Sequence, residues 1–269
     1  MKIPFHRPYL TSKEINNVID VLKSEWLTMG PKTIEFENKF QEYIGSEYAI
    51  SVNSATAALH LSLSAIGIGP EDEVIVPTNT FIATAEAVAY LGANPVLCDI
   101  ESNTHNINYQ LIEQNITDKT KAIIPVHYGG HPCDMNNISM IAKKYNLKII
   151  EDAAHALPAL YDNKIVGTMS DATCFSFYAT KTMTTGEGGM VTTNSEEIMK
   201  KIFLQRLHGI NSDAWSRHSS EMDWYYEVVD LGYKYNLTDI QSALGIIQLE
   251  KLDWMWKERK KIAAKYINA

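Results

Sequence analysis

Short apolar runs alternate with segments of helical periodicity through most of this chain, and that alternation restricts the fold more than any other feature. Residues 48–52, 73–76, 95–98, 122–126 and 148–150 read as strands. Helical segments at 82–91, 110–115 and 135–145 lie among them. A strand, helix, strand series predicts a largely parallel sheet covered on both faces, which is a three-layer α/β/α domain. Ligands of such sheets bind beyond the carboxyl ends of the strands.

The flanks add helices. Thr11-Ser-Lys-Glu14 reads as a capping box opening a helix whose apolar stripe is Ile15, Val18, Ile19 and Leu22, expected to be scaffold. After the loop WLTMGPK (26–32), a helix over 33–44 stops at Gly45. A strand to Thr193 precedes a helix over 196–207, and one long helix is expected from 238 to about 267. Residues 209–230, with Trp215, Arg217, His218, Trp224 and Tyr225, lack periodicity and read as a binding loop.

Composition excludes several classes. The apolar share of 45% is ample for a core. The most apolar region, 74–98, is interrupted by Pro77, Asn79, Glu86 and Pro95, so no membrane span is expected. The opening MKIPFHRPYL lacks the apolar core of a signal peptide, and Cys98, Cys133 and Cys174 are too widely spaced for a disulfide framework, so a cytoplasmic location is expected. A net charge of −8 disfavours nucleic acid as a partner. An anionic substrate would need local positive charge. His127, His131 and Cys133 could suggest a metal, but Gly129, Gly130 and Pro132 make this a turn, and no metal is expected.

The chemistry concentrates in IIEDAAHA (149–156), FSFYATK (175–181) and GEGGM (186–190). The first places Glu151, Asp152 and His155 at a strand's carboxyl end; the second carries Ser176 and then Lys181 into a loop rich in Thr and Gly. A lone Asp there is usually a turn or cap residue, and a lone loop Lys is usually solvated. Together they are what pyridoxal 5'-phosphate (PLP) requires: an amine to bond its aldehyde and a carboxylate to keep its ring nitrogen protonated. Asn53-Ser-Ala-Thr-Ala-Ala-Leu59 reads either as an ordinary N-cap or as a phosphate site, because its small residues expose backbone N–H groups at the positive end of a helix.

NSATAAL, PTNTF, EDAAHA, FSFYATK, GEGGM and GYKYNLTDIQSA occur in this order. From Pro8 to about Tyr266 the chain resembles the DegT/DnrJ/StrS group of sugar-nucleotide aminotransferases, which have the aspartate aminotransferase fold, PLP-dependent transferase fold type I. The resemblance implies that Lys181 holds PLP covalently, that Asp152 pairs with the ring nitrogen, and that Thr56, Ala57 and Ser176 bind the phosphate. It implies that Phe81, which alone reads as core, stacks on the ring. His155 would hydrogen-bond the ring hydroxyl; its other reading is a buried histidine satisfied by backbone. Many relatives have an Asn at the position of Lys234 that reaches the partner subunit's phosphate site. Lys234 or Asn236 would serve here, and a homodimer is expected.

The resemblance further implies a nucleotide-linked keto sugar, with C4 as the keto carbon, glutamate as amino donor, a role in surface polysaccharide synthesis, and a place for loop 26–32 near the sugar. It divides the chain into a cofactor domain with an N-terminal arm (1–237) and a long helix (238–269) leading to a small C-terminal domain that this sequence lacks, so the substrate side should suffer most. Two other readings remain. A sugar dehydratase of this fold would carry histidine in place of Lys181, and a non-catalytic relative would only bind a partner or ligand.

Overall fold

The computed structural model describes residues 4–211 and 226–269. Its strands are β1 (Tyr48–Val52), β2 (Glu73–Pro77), β3 (Asn94–Cys98), β4 (Thr120–Ile123), β5 (Lys148–Asp152), β6 (Leu160–Tyr161), β7 (Lys164–Ile165), β8 (Ala172–Ser176) and β9 (Gly189–Thr193). Seven form one sheet in the order β1-β9-β8-β5-β4-β2-β3, and β6 pairs with β7 apart from it. Strand β9 runs against both of its neighbours, whereas β2, β3, β4, β5 and β8 pair in parallel. The sheet is therefore mostly parallel, as the alternation predicts.

The helices are α1 (Ser12–Lys23), α2 (Pro31–Ile44), α3 (Ala55–Ala65), α4 (Ala83–Ala89), α5 (Met135–Tyr145), α6 (Glu196–Gln205), α7 (Asp239–Glu250) and α8 (Leu252–Ile267). Strand side chains alternate between the two faces. Val74, Ala122, Ile150 and Val191 enter a cluster with Leu59, Leu61 and Leu63 of α3. Their neighbours Ile75, Ile123 and Ile149 enter another with Ile138 of α5. Phe175 and Met190 join Phe36 and Phe40 of α2 and Ile246 and Leu249 of α7. The Phe40 ring lies 5.3 Å from Phe175 and 5.5 Å from Phe177. Truncating one such buried ring costs about 3–5 kcal/mol, so this cluster firmly backs the strand that leads to Lys181.

Two local expectations are corrected. The stretch at 110–115 is not an α-helix but two 3₁₀ turns, Tyr109–Leu111 and Glu113–Asn115, the first capped by the Asn108 side chain on the Gln110 N–H. The final helix is broken at Lys251 (φ −109, ψ 7), where the ammonium reaches back to Glu14 and to the carbonyl of Tyr9. Helix α7 packs into the core through Ile246 and Leu249.

The capping box of α1 forms as expected, but its apolar stripe does not face the core. Ile15, Ile19 and Leu22 are exposed, while Glu14 and Val21 are buried. Polar chemistry selects this face: Glu14 accepts hydrogen bonds from the Thr11 N–H (2.9 Å), the Thr11 hydroxyl (2.6 Å) and Gln248 Nε2 (2.8 Å), and pairs with Lys251. Asn17 Nδ2 donates to the Ala243 carbonyl at 2.6 Å.

This arrangement carries a pH signature. Burial would raise the Glu14 carboxyl, but the Lys251 and Thr11 hydrogen bonds outweigh it and hold the carboxyl at about 2, against an ordinary 4.5. A depressed folded value stabilises above the unfolded value and loses that contribution as pH falls through the folded one. The gap in urea midpoint between the native chain and Glu14→Gln should thus be full at about pH 6 and much reduced at about pH 2.5. An unchanged gap would show that the carboxylate charge is not what anchors α1.

The expected loop over 26–32 ends at Gly30, where α2 begins, and is pinned there. Asp239, at the start of α7, accepts from the backbone N–H groups of Gly30, Lys32 and Thr33 at 2.8, 3.1 and 2.9 Å and so caps α2 from a distance. Trp215, Arg217, His218, Trp224 and Tyr225 lie outside the described residues. The flanks of that region meet where Ile210 bridges Val228.

Candidate active site

A cleft of about 580 Å³ opens at the carboxyl ends of β5 and β8, between the start of α3 and the loop after β8. Thr56, Phe81, Asp152, His155, Ser176 and Lys181 all line it. Ala57 and Asn236 lie outside it. The Ala57 N–H is taken by the Ser54 hydroxyl at 3.1 Å, which caps α3. Asn236 is buried and accepts from Lys234 Nζ at 2.5 Å, while Lys234 itself is exposed.

Asp152 ends β5 and is 5% exposed. Its Oδ2 accepts from the Thr84 hydroxyl at 2.8 Å and its Oδ1 from the Ala154 N–H at 3.1 Å. The Thr84 hydroxyl in turn meets that of Thr80 at 2.7 Å. The carboxylate is thus oriented by α4 before any ligand arrives.

Glu151, the preceding residue, faces the opposite side of the strand and is wholly buried. It takes hydrogen bonds from His127 Nε2 (2.7 Å), Ser170 (2.5 Å) and Thr173 (2.9 Å). Burial would raise its carboxyl, yet these donors, His127 foremost, hold it below the ordinary value. His127 Nδ1 accepts from the Cys133 N–H at 3.1 Å, so both ring nitrogens are engaged within the protein.

The lysine loop is tied at both ends. Lys181 N–H closes a turn on the Tyr178 carbonyl at 2.9 Å. The Thr184 hydroxyl and the Thr185 N–H both donate to the Phe177 carbonyl, at 2.9 and 3.0 Å. Burial lowers the Lys181 ammonium below its ordinary value, with the charge of Asp152 opposing. Burial and then the Lys181 charge lower His155, and Asp152 again opposes. Gly189 brings β9 against α3: a Cβ there would lie 2.5 Å from the Ser54 carbonyl carbon.

The donor set suits PLP. A volume of about 580 Å³ lies within the range of roughly 300–1,000 Å³ usual for small-molecule sites. The cleft is lined by a helix N-terminus, the Thr56 and Ser176 hydroxyls, an oriented carboxylate and an amine. Phe81, 74% exposed, presents a flat ring to the cleft and is not core.

The DegT/DnrJ/EryC1/StrS aminotransferase family model matches residues 8–269. The chain belongs to that family.

Among its relatives, MJ1066 of Methanocaldococcus jannaschii is 58% identical over 264 residues, covering 98% of this chain and 68% of that protein. The spore coat polysaccharide biosynthesis protein SpsC of Bacillus subtilis is 48% identical over 267 residues, covering 99% and 69%. Spr1654 of Streptococcus pneumoniae, a putative sugar aminotransferase solved in its pyridoxamine phosphate (PMP) form, superposes with a TM-score of 0.92 at 38% identity, over 98% of this chain and 71% of that one. A PLP form of Spr1654 superposes with a TM-score of 0.91. This DegT/DnrJ/EryC1/StrS chain is a PLP-dependent sugar aminotransferase by family, and its fold is that of the PLP-dependent aminotransferases.

Sequence reading missed several cleft residues of this family member. Thr84 holds Asp152 and is itself met by Thr80, Ser54 caps α3, and Tyr128, Tyr178 and Glu187 form walls. Thr80 lies in the bend before α4 and Thr84 in the first turn of α4. Nothing local says that Thr84 meets Asp152, 68 residues later.

Proposed function

We propose that the chain transfers an amino group from glutamate to a nucleotide-linked 4-keto sugar in surface polysaccharide synthesis, using PLP at the cleft. The observation that carries this reading is the convergence of Lys181, Asp152, Thr56 and Ser176, from three separate segments, on one cavity. When bound, PLP supplies an electron sink beside the reacting amino carbon and carries the amino group between the two substrates.

This chain's own residues do the rest. Lys181 would hold the cofactor through its aldehyde, and its amine would serve as the base that moves the proton at the reacting carbon. Its lowered ammonium pKa raises the share of neutral amine that both tasks need. Asp152 holds the ring-nitrogen proton, and Thr84 keeps that carboxylate aimed. Thr56, Ser176 and the start of α3 would take the phosphate, Phe81 would cover a ring face and His155 would reach the ring hydroxyl.

Assembly as a cytoplasmic homodimer is part of the proposal. Exposed Ile15, Ile19 and Leu22 offer apolar surface for a second copy, and Lys234 is exposed whereas Asn236 is buried. The three cysteines are free and buried, which suits a reducing compartment. Among the described residues no helix is long and apolar enough to cross a membrane.

Incubation with PLP, glutamate and a panel of nucleotide-linked 3-keto and 4-keto sugars tests the reaction. The expected product is a 4-amino sugar nucleotide together with 2-oxoglutarate. Amination at C3 alone would correct the substrate, and absence of any amine product would overturn the reading.

A further inference from the structure

Beyond Lys181 the cleft continues into two further hollows, of about 430 Å³ and about 160 Å³. Both are lined by Lys181 and by Arg259 of α8. Arg259 Nη2 donates to the Lys181 carbonyl oxygen at 3.4 Å, which holds the guanidinium beside the lysine loop. One such bond leaves the other N–H groups of the fork available.

The surroundings are rich in basic side chains, of which the two arginines carry fixed positive charge. The larger hollow adds His155 and Trp256 and, among its described lining residues, contains no carboxylate. The smaller adds His6 and Arg7 from the N-terminal arm. His6 Nε2 is buried and finds no hydrogen-bond partner among the described residues. Glu258, the carboxylate that lines this hollow, is paired with Lys261 at 2.6 Å. Five basic side chains, His6, Arg7, His155, Lys181 and Arg259, therefore line these hollows in a chain whose net charge is −8. Such a local reversal of charge is what an anionic ligand needs and what the overall composition denies elsewhere.

We propose that Arg259, with Arg7 lining the same smaller hollow, anchors an oxyanion of the substrate beside the Lys181 loop. This rests on the aminotransferase reading and deepens it. A planar guanidinium matches a carboxylate or a phosphate through two parallel N–H···O bonds. Two sources carry that chemistry: the carboxylates of the amino donor and the diphosphate of the nucleotide-linked sugar. A neutral keto sugar without its nucleotide would gain nothing from this subsite.

Binding of two unreactive probes to the chain reconstituted with PLP separates them. Glutarate stands for the dicarboxylate and inorganic pyrophosphate for the diphosphate, each titrated by calorimetry into the native chain, Arg259→Gln, Arg259→Lys and, as a control for net charge, Lys265→Gln. Arg259→Gln should weaken one probe by about tenfold or more, Arg259→Lys should weaken it less, and Lys265→Gln should leave it unchanged. Loss of glutarate alone assigns the donor carboxylate, and loss of pyrophosphate alone assigns the nucleotide. Equal binding of both probes by the native chain and Arg259→Gln overturns the proposal, as does a native chain that binds neither at millimolar concentration. Arg259 is exposed, so its variants should keep the native thermal midpoint, and Arg259→Lys keeps the test decisive should Arg259→Gln unfold. The probes need no turnover. A chain that binds them through Arg259 yet aminates no sugar would sink the reaction and leave the subsite standing.

Discussion

Lys181→Ala, incubated with PLP and then reduced with borohydride, should carry no covalent label, whereas the native chain should be labelled once. Turnover should fall by at least about a thousandfold, since the substitution removes the attachment point and the proton carrier together. The fold should survive. Burial works against the Lys181 ammonium, so its removal relieves an electrostatic cost, and the loop stays tied through Thr184 and Thr185 to the Phe177 carbonyl. Peptide mapping decides the matter: a label persisting at full stoichiometry on another lysine would end the assignment, whatever the activity.

Asp152→Asn should still bind PLP but lose about a hundredfold or more in turnover, the scale on which a positioned electrostatic group acts. An amide has nearly the shape of the carboxylate, so its oxygen can still accept from Thr84 or from the Ala154 N–H. What it lacks is the negative charge that keeps a proton on the ring nitrogen. The absorption of the bound cofactor should therefore shift with its stoichiometry unchanged. Near-normal turnover and an unshifted spectrum would remove Asp152 from the mechanism and leave it as a structural residue capped by Thr84.

The strands and the residues at their ends were legible because their signals are local. Ile149 and Ile150, side by side in sequence, point to opposite faces because strand geometry demands it. Asp152, Ser176 and Lys181 follow from counting along motifs that end two neighbouring strands, and β5 and β8 do pair, with Asp152 opposite Cys174. Phe81 shows the limit of that logic. An aromatic residue at the start of a helix reads as core on its own, and only the packing around it leaves the ring 74% exposed beside the cleft.

Helix α1 shows how a correct local reading can mislead. Its capping box, its length and its apolar stripe are all present, yet the side that faces the protein is the one bearing Glu14. Amphipathic periodicity says that one face differs from the other; it does not say which face meets which neighbour. Here a buried carboxylate with Thr11, Gln248 and Lys251 around it outcompetes the aliphatic stripe.

The sequence by itself determined the α/β alternation, the mostly parallel sheet, the strand-end placement of Asp152 and the loop placement of Lys181, since each depends on residues a few positions apart. Tertiary structure alone decided that Thr84 orients Asp152 across 68 residues, that Asp239 caps α2 across more than 200, and that Arg259 reaches the Lys181 loop across 78. These contacts are set by how the layers pack. A hydroxyl, a carboxylate or a guanidinium carries no local signature of its partner, because its hydrogen bond forms only where folding brings two distant segments within about 3 Å.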